Sequence, residues 1–407
     1  MRILYSLAVY IYGIAIRLVS PFNEKAAKWV AGRRNWKSKI PTFETNETVF
    51  WFHCASLGEF DMALPIMDLL KNKMPDSKLL VTFFSPSGMD HYHKRPNKVD
   101  EVFYLPEDTR ENARKFISSV KPSAVFLVKY EFWSNFIFEL NHQNIPIVSV
   151  CSVFRKEQRF FRWYGGFFRK TLRKINHFYV QDDESKHQLG TIGINSILVV
   201  GDTRYDKVLE KSRNIVPNST IESFLKGEKA WVFGSTWEED ESILIPLILE
   251  NPNQKIILAP HTIGEQKINL LLKKLNGKAV KYSEYNEEQK QVLILNTIGH
   301  LSDAYSYAEL AYIGGGFSGK LHNILEPSVF GVPVIFGPKF TKFPEAQSFI
   351  DLGIGCSVGS YMDLKQSVAS LKQNFSAIHQ HALENVQSNS GAAQRICDHF
   401  LTSHFTE

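Results

Sequence analysis

Between Glu47 and Val358 one pattern repeats: a short apolar, β-rich run, a helical segment, then another apolar run. The expected strands are 49–53, 79–84, 101–105, 124–128, 146–150, 177–180 and 197–200 in the first half. The second half supplies 231–234, 255–259, 292–295, 310–313, 333–336 and 355–358. Helical patterns lie between them, among them 62–71, 111–119, 184–189, 265–275, 302–308 and 362–374. Apolar strands alternating with helices form parallel sheets covered on both faces. Over 407 residues this predicts two doubly wound α/β domains. The polar stretch 207–220 is the expected linker, giving an N-terminal Rossmann-like domain at 41–207 and a C-terminal one at 208–407. Ligands of such sheets bind beyond the carboxyl ends of the strands, beside helix N-termini.

Residues 1–40 stand outside the pattern. Ile3 to Ile16 contains no charge, and basic residues follow: Arg17, Lys25, Lys28, Arg33, Arg34, Lys37 and Lys39. The apolar run is shorter than the ~20 residues of a bilayer-crossing helix, and Val19-Ser20-Pro21-Phe22 is a poor cleavage site. The expected reading is an uncleaved anchor held against anionic lipid, spanning or lying in the interface. The other reading is an amphipathic helix of the first domain. A second basic zone, 154–174, interleaves Arg155, Lys156, Arg159 and Arg162 with Phe160, Phe161, Trp163, Tyr164, Phe167 and Phe168. Such a run can stack nucleic acid bases or grip a phosphorylated lipid at a membrane; the N-terminal anchor favours lipid. The four cysteines are far apart and form no CxxC pair, which argues against a disulfide framework or a zinc site and fits a reducing compartment.

Five strand ends carry candidate chemistry. Gly314-Gly315-Gly316-Phe317-Ser318-Gly319-Lys320 follows a strand, and His322-Asn323 then opens a helix carrying Glu326 and Pro327. Glycines let backbone amides approach a phosphate, and a carboxylate at Glu326 can accept both hydroxyls of a ribose. The run matches the start of a P-loop, but Leu321 stands where the magnesium-binding Ser or Thr belongs. Ser56-Leu57-Gly58-Glu59 places an acid at a helix start, able to deprotonate a hydroxyl or simply to complement the helix dipole. Gly234-Ser235-Thr236-Trp237 opens another helix, Ala259-Pro260-His261 ends the next strand, and Arg204 follows the strand before the linker.

In this order these pieces resemble the 3-deoxy-D-manno-octulosonic acid (Kdo) transferases of lipopolysaccharide synthesis, nearly end to end. The most specific parts are Ser56-Leu57-Gly58-Glu59, Tyr104-Leu105-Pro106 with Asp108, and Glu131-Phe132-Trp133 with Asn135. To these add Gly201 with Asp206, Gly234-Ser235-Thr236, Gly314-Gly315, His322-Asn323 with Glu326-Pro327, and Gly337-Pro338. The resemblance implies a GT-B fold, two Rossmann-like domains facing a cleft, with an N-terminal membrane-anchoring helix. It implies an inverting transfer of Kdo from CMP-Kdo to a tetraacylated lipid A precursor (lipid IVA) at the cytoplasmic face of the inner membrane. No metal or cofactor is implied, CMP-Kdo being a substrate, and nucleic acid is not an expected partner. By motif position Glu59 is the general base, and Arg204, His261, Asn323 and Glu326 serve CMP-Kdo. Gly234, Ser235, Thr236, Pro260, Gly315, Gly316 and Lys320 complete the expected donor set. Ser56, Gly58, Glu131, Arg155, Lys156, Arg159 and Arg162 form the expected acceptor and lipid set.

The chain departs from the family pattern in places. Lys129 stands where the family has Glu, Ser134 where it has Pro, and Arg204 where it has Lys. Ala259-Pro260-His261 replaces Pro-Arg-His, removing an expected donor-phosphate arginine, and Lys320-Leu321 replaces Gly-Gly. Lys320 or Arg204 could supply the lost charge. The competing readings are another GT-B sugar-nucleotide enzyme (a UDP-sugar transferase or epimerase) and a membrane-tethered nucleic-acid-binding protein.

Overall fold

A computed structural model describes residues 1–44 and 46–405. It contains two compact units, Met1–Lys207 together with the segment from Ser390 onward, and Val208–Asn389. The division falls within the helix Thr203–Arg213, so the expected linker is helical over its first part.

The first unit carries β1 (Val49–Cys54), β2 (Lys78–Phe83), β3 (Glu101–Tyr104), β4 (Ala124–Val128), β5 (Ile147–Ser152), β6 (His177–Val180) and β7 (Ile197–Val199). They form one parallel sheet in the order β3-β2-β1-β4-β5-β6-β7. The order reverses between β1 and β4, which opens a crevice at the carboxyl ends of these two strands. Strand alternation sorts the core. Phe50, Phe52 and Cys54 of β1 join one apolar layer with Phe126 and Val128. Val49 and Trp51 join the opposite layer with Val125 and Leu127, and His53 follows them onto that face.

The second unit carries β8 (Ala230–Thr236), β9 (Lys255–Pro260), β10 (Ala279–Lys281), β11 (Val292–Ile294), β12 (Ala308–Ile313), β13 (Val334–Phe336) and β14 (Gly355–Ser357). Its parallel order is β10-β11-β9-β8-β12-β13-β14, with the reversal between β8 and β12. β10 was not among the expected strands; only Ala279 and Val280 give it apolar character. The expected 302–308 helix is a short α turn, Leu301–Ala304, and a 3-10 turn, Tyr305–Tyr307; Ala308 already belongs to β12.

The sequence division kept 208–407 together, but the last helix, Ala392–His404, belongs to the first unit. Phe400 meets Phe50 and Phe126 edge-on, at centroid distances of 5.9 and 4.7 Å. Asp206, singled out with Gly201 by the resemblance, accepts hydrogen bonds from the amides of Gly391 and Ala393 at the start of that helix. Arg395 donates to the carbonyl of Val200.

The N-terminal helix, Arg2–Val19, lies along the first unit with one face docked. Arg2 Nε donates to Asn135 Oδ1 (2.9 Å), Tyr5 Oη to Asp108 Oδ2 (2.6 Å), and Arg17 pairs with Glu107 (2.6 Å). Ile3, Leu4, Leu7, Ile11, Ile14 and Leu18 form the other face and are all more than half exposed. Their spacing is that of a single helical stripe.

Because Asp206 satisfies amides that the last helix cannot bond internally, Asp206→Ala should destabilise the first unit by about 1–2 kcal/mol. Urea unfolding followed by circular dichroism would show this as a lower midpoint; an unchanged midpoint would contradict the capping role.

Candidate active site

In the first unit, β1 ends in the small residues Ala55 and Ser56, and the helix Leu57–Lys73 begins at once. Ser56 holds the N-cap position, but its side chain makes no cap bond. Glu59 turns back instead, and its carboxylate accepts from the Ala55 amide. Burial pushes Glu59 up to about 7, with the neighbouring Glu131 adding to the rise. The amides of Ala55 and Ser56 and the charge of Lys129 oppose it. The result is a carboxyl group that exchanges its proton near neutrality, the range useful to a general base. Beside it, Gly58 is exposed, and a Cβ there would meet nothing within 4 Å, so the approach to Glu59 is open.

Glu131 follows β4 across the same crevice. Its Oε2 accepts from Trp133 Nε1 (2.9 Å) and lies 3.3 Å from His53 Nε2. His53 is fixed through Nδ1 by Thr82, at 2.8 Å from Oγ1 and 3.1 Å from the carbonyl. Trp51 Nε1 donates to the same hydroxyl (2.8 Å). Trp133 stacks on Phe84, and Phe84 stacks in turn on Tyr12 of the N-terminal helix, with centroids 5.0 and 6.4 Å apart. Sequence reading singled out Glu131 and the Trp133 motif but missed His53 and Thr82. The signal available was strand alternation, which puts both polar side chains on one face of adjacent strands.

The basic zone is part of the same unit. Phe154, Phe160 and Phe167 are buried core residues, so most of its aromatics do not form the exposed surface expected of them. Trp163 is 90% exposed and Tyr164 54%, with Arg155, Lys156, Arg159 and Arg162 exposed around them. Arg159 stacks over Phe168, 4.2 Å from the ring centroid. Arg204, expected on the donor side, also lies in this unit and pairs with Asp202 (2.6 Å).

The second unit gathers most of the remaining donor set at its own strand-order reversal. Gly234, Ser235 and Thr236 end β8, with Ser235 in left-handed backbone (φ 54°). Such strain persists where the surroundings over-determine it and clusters at functional sites. Gly314 to Gly316 follow β12 and are required by close backbone packing. A Cβ on Gly314 would lie 2.2 Å from the Ser235 carbonyl oxygen, and one on Gly316 2.4 Å from the Gly337 amide. The Gly314 amide donates to the Gly234 carbonyl (2.9 Å). Asp240, which sequence reading missed, ties both turns together: its carboxylate accepts from the amides of Gly315 (3.0 Å) and Trp237 (2.9 Å) and from the Tyr312 hydroxyl (2.8 Å).

Around these turns, His261 follows Pro260 at the end of β9 and stacks on Trp237, with centroids 4.2 Å apart. His322 lies 4.8 Å from His261 and is pushed down to about 4 by burial and then by His261. Lys320 places its ammonium 5.6 Å above the Trp237 ring. The buried indole N–H of Trp237 has no acceptor among the described residues, the mark of a donor that a ligand can satisfy. The expected helix at His322 begins later, as the single turn Leu325–Ser328. Asn323 spans the gap: Oδ1 accepts from the Leu325 amide (3.1 Å) and Nδ2 donates to Glu326 Oε1 (3.2 Å).

Residues 31–207 match the family model described as 3-deoxy-D-manno-octulosonic-acid transferase. The chain is 28% identical over 370 residues to the 3-deoxy-D-manno-octulosonic acid transferase of Haemophilus influenzae, covering 86% of this chain and 85% of that one. To the enzyme of the same description from Chlamydophila psittaci it is 27% identical over 339 residues, 78% of this chain and 76% of the relative. In fold it is similar to the UDP-GlcNAc 2-epimerase of Neisseria meningitidis, with a TM-score of 0.65 and 15% identity over 88% of this chain and 100% of that one. MurG of Acinetobacter baumannii gives a TM-score of 0.54 and 13% identity, over 87% and 99%. The two doubly wound units thus make a GT-B fold, and the chain is similar over most of its length to Kdo transferases, with the family-model match falling in its first unit.

Proposed function

We propose that this chain transfers Kdo from CMP-Kdo to a tetraacylated lipid A precursor, with inversion at the anomeric carbon. The observation that carries the reading is Glu59, a carboxyl group held near neutrality at the strand-order reversal of the first unit. Ionised Glu59 takes the proton from an acceptor hydroxyl. The hydroxyl oxygen bonds to the anomeric carbon as the bond to the CMP phosphate oxygen breaks, on the face opposite the attack. CMP leaves with the bonding pair. The second unit offers Lys320, His261 and the Trp237 indole N–H for the phosphate, and Asn323 with Glu326 for the ribose. Donors placed in advance where charge develops supply much of a transfer enzyme's rate.

The docked geometry of the N-terminal helix supports attachment in the plane of the inner membrane at its cytoplasmic face. Spanning would break the Tyr5–Asp108, Ser6–Asn135 and Arg17–Glu107 contacts, whereas lying flat keeps them and buries the exposed stripe in lipid. Phe22, Trp163 and Tyr164, all exposed, are of the kind that settles at head-group depth.

Two measurements test this. Transfer from CMP-Kdo to the phosphorylated precursor should fall by roughly 10²- to 10⁴-fold in Glu59→Gln. In the wild type kcat/KM should climb with pH through about 7, because the raised carboxyl group is ionised only above that value. Absence of wild-type transfer would refute the donor and acceptor; undiminished transfer by Glu59→Gln would refute the base. Separately, replacing Leu7, Ile11 and Leu18 by Ser removes roughly 1 kcal/mol of lipid burial apiece, together about a hundredfold in affinity. Vesicle flotation should show that loss while transfer to detergent-dispersed acceptor persists; unchanged flotation would refute interfacial docking.

A further inference from the structure

Lys129 leaves β4 at the point where the first sheet reverses its strand order. It adopts left-handed backbone (φ 58°), an uncommon state for a side chain of this kind. Its amide donates to the Val150 carbonyl (2.9 Å) and its carbonyl accepts from Ser152 Oγ (2.7 Å), so the neighbouring strand holds the strained conformation from both sides. The register of β1 on β4 pairs His53 with Leu127. Ala55 and Lys129 each lie two residues beyond that pair, at the carboxyl ends of these adjacent strands. The Ala55 amide carries the Glu59 carboxylate, and Glu131 lies two residues beyond Lys129.

The Lys129 ammonium is half-buried among these groups, yet it makes no hydrogen bond or ion pair with any described residue. Its charge is felt by both Glu59 and Cys151, in keeping with its place at the carboxyl end of β4, between β1 and β5. A half-buried cation near two carboxylates ordinarily closes an ion pair; this one stays more than 4 Å from either. Its three donors are left for something the chain does not supply.

We infer that Lys129 is an anion-binding residue of the acceptor site, which takes a phosphate or carboxylate carried by the acceptor beside the hydroxyl that Glu59 deprotonates. This rests on the proposed function for the identity of the acceptor. The anion has two possible sources, a phosphate on the sugar head group or the carboxylate of a sugar acid already attached. Either would be drawn to the ammonium and would bring the hydroxyl to the base.

The test uses the full chain in detergent with four acceptors: the phosphorylated precursor, its dephosphorylated form, and each of these already carrying one Kdo. Lys129→Met and Lys129→Arg are compared with the wild type. In Lys129→Met the KM for the acceptor bearing the recognised anion should rise roughly 10- to 100-fold, the range of one charged hydrogen bond, with the KM for CMP-Kdo unchanged. Lys129→Arg should retain most of the affinity. Wild-type preference that collapses between phosphorylated and dephosphorylated acceptors identifies phosphate; collapse between acceptors with and without the attached sugar acid identifies carboxylate. An equal loss on all four acceptors, with the low-pH limb of the rate moved upward, would overturn the inference and leave Lys129 only tuning Glu59. Binding of the four acceptors without donor reads the same subsite independently. Absent transfer with intact, Lys129-dependent binding would therefore count against the proposed reaction and not against the subsite.

Discussion

The first unit's site depends on one buried carboxylate. Asp108 is almost fully buried and accepts three hydrogen bonds: from the Tyr5 hydroxyl and from the amides of Asn135 and Phe136. The two amides belong to the first turn of the helix Ser134–His142, where unsatisfied N–H groups and the helix dipole favour a negative charge. Burial pushes Asp108 up to about 6, and its donors with the charge of Arg2 pull it back. The carboxylate is held only because all these groups converge. What it fixes is the segment immediately before that helix, which contains Lys129, Glu131 and Trp133. The same residue therefore anchors the N-terminal helix and holds the segment that carries Lys129, Glu131 and Trp133. The second route between them is aromatic, from Tyr12 through Phe84 to Trp133. The N-terminal helix is thus packed into the first unit, with its exposed apolar stripe on the opposite face.

The chemistry that results is a set of opposed charges at a sheet reversal. Burial and then Glu131 raise the cost of ionising Glu59, and backbone amides and Lys129 lower it. A carboxyl group near 7 is both available as a base and protonatable after the transfer, which a fully solvated glutamate is not. In the second unit Asp240 has the corresponding structural task. It bonds the turns after β8 and β12 to each other, so that the groups around Trp237 and Lys320 stand on fixed backbone.

Much of this was legible in the sequence because it is local. Apolar runs marked thirteen of the strands, and a small-residue strand end followed by Gly58 and Glu59 marked the acid. The exposed apolar stripe of the N-terminal helix was visible as an uncharged run, though its docked inner face was not. What escaped depends on contacts between distant segments. His53 and Thr82 are separated by 29 positions and meet only through strand pairing. Tyr5 and Asp108 are 103 positions apart. Asp206 stood out by resemblance, but its work on the last helix spans 185 positions and draws that helix into the first unit. The aromatics of the basic zone were read by composition as surface, whereas Phe154, Phe160 and Phe167 fill the core. Composition cannot tell a stacking surface from a buried aromatic layer; only the path of the chain does.

The dependence of the segment after β4 on the N-terminal helix can be measured directly by amide hydrogen exchange. Tyr5→Phe removes one charge-assisted hydrogen bond to Asp108 and leaves Glu59, Lys129 and Glu131 unchanged. If Asp108 links helix and site, exchange at Asn135 and Phe136 should accelerate roughly tenfold or more relative to the wild type in detergent, where no membrane contributes. Unchanged exchange at those two amides would contradict the link.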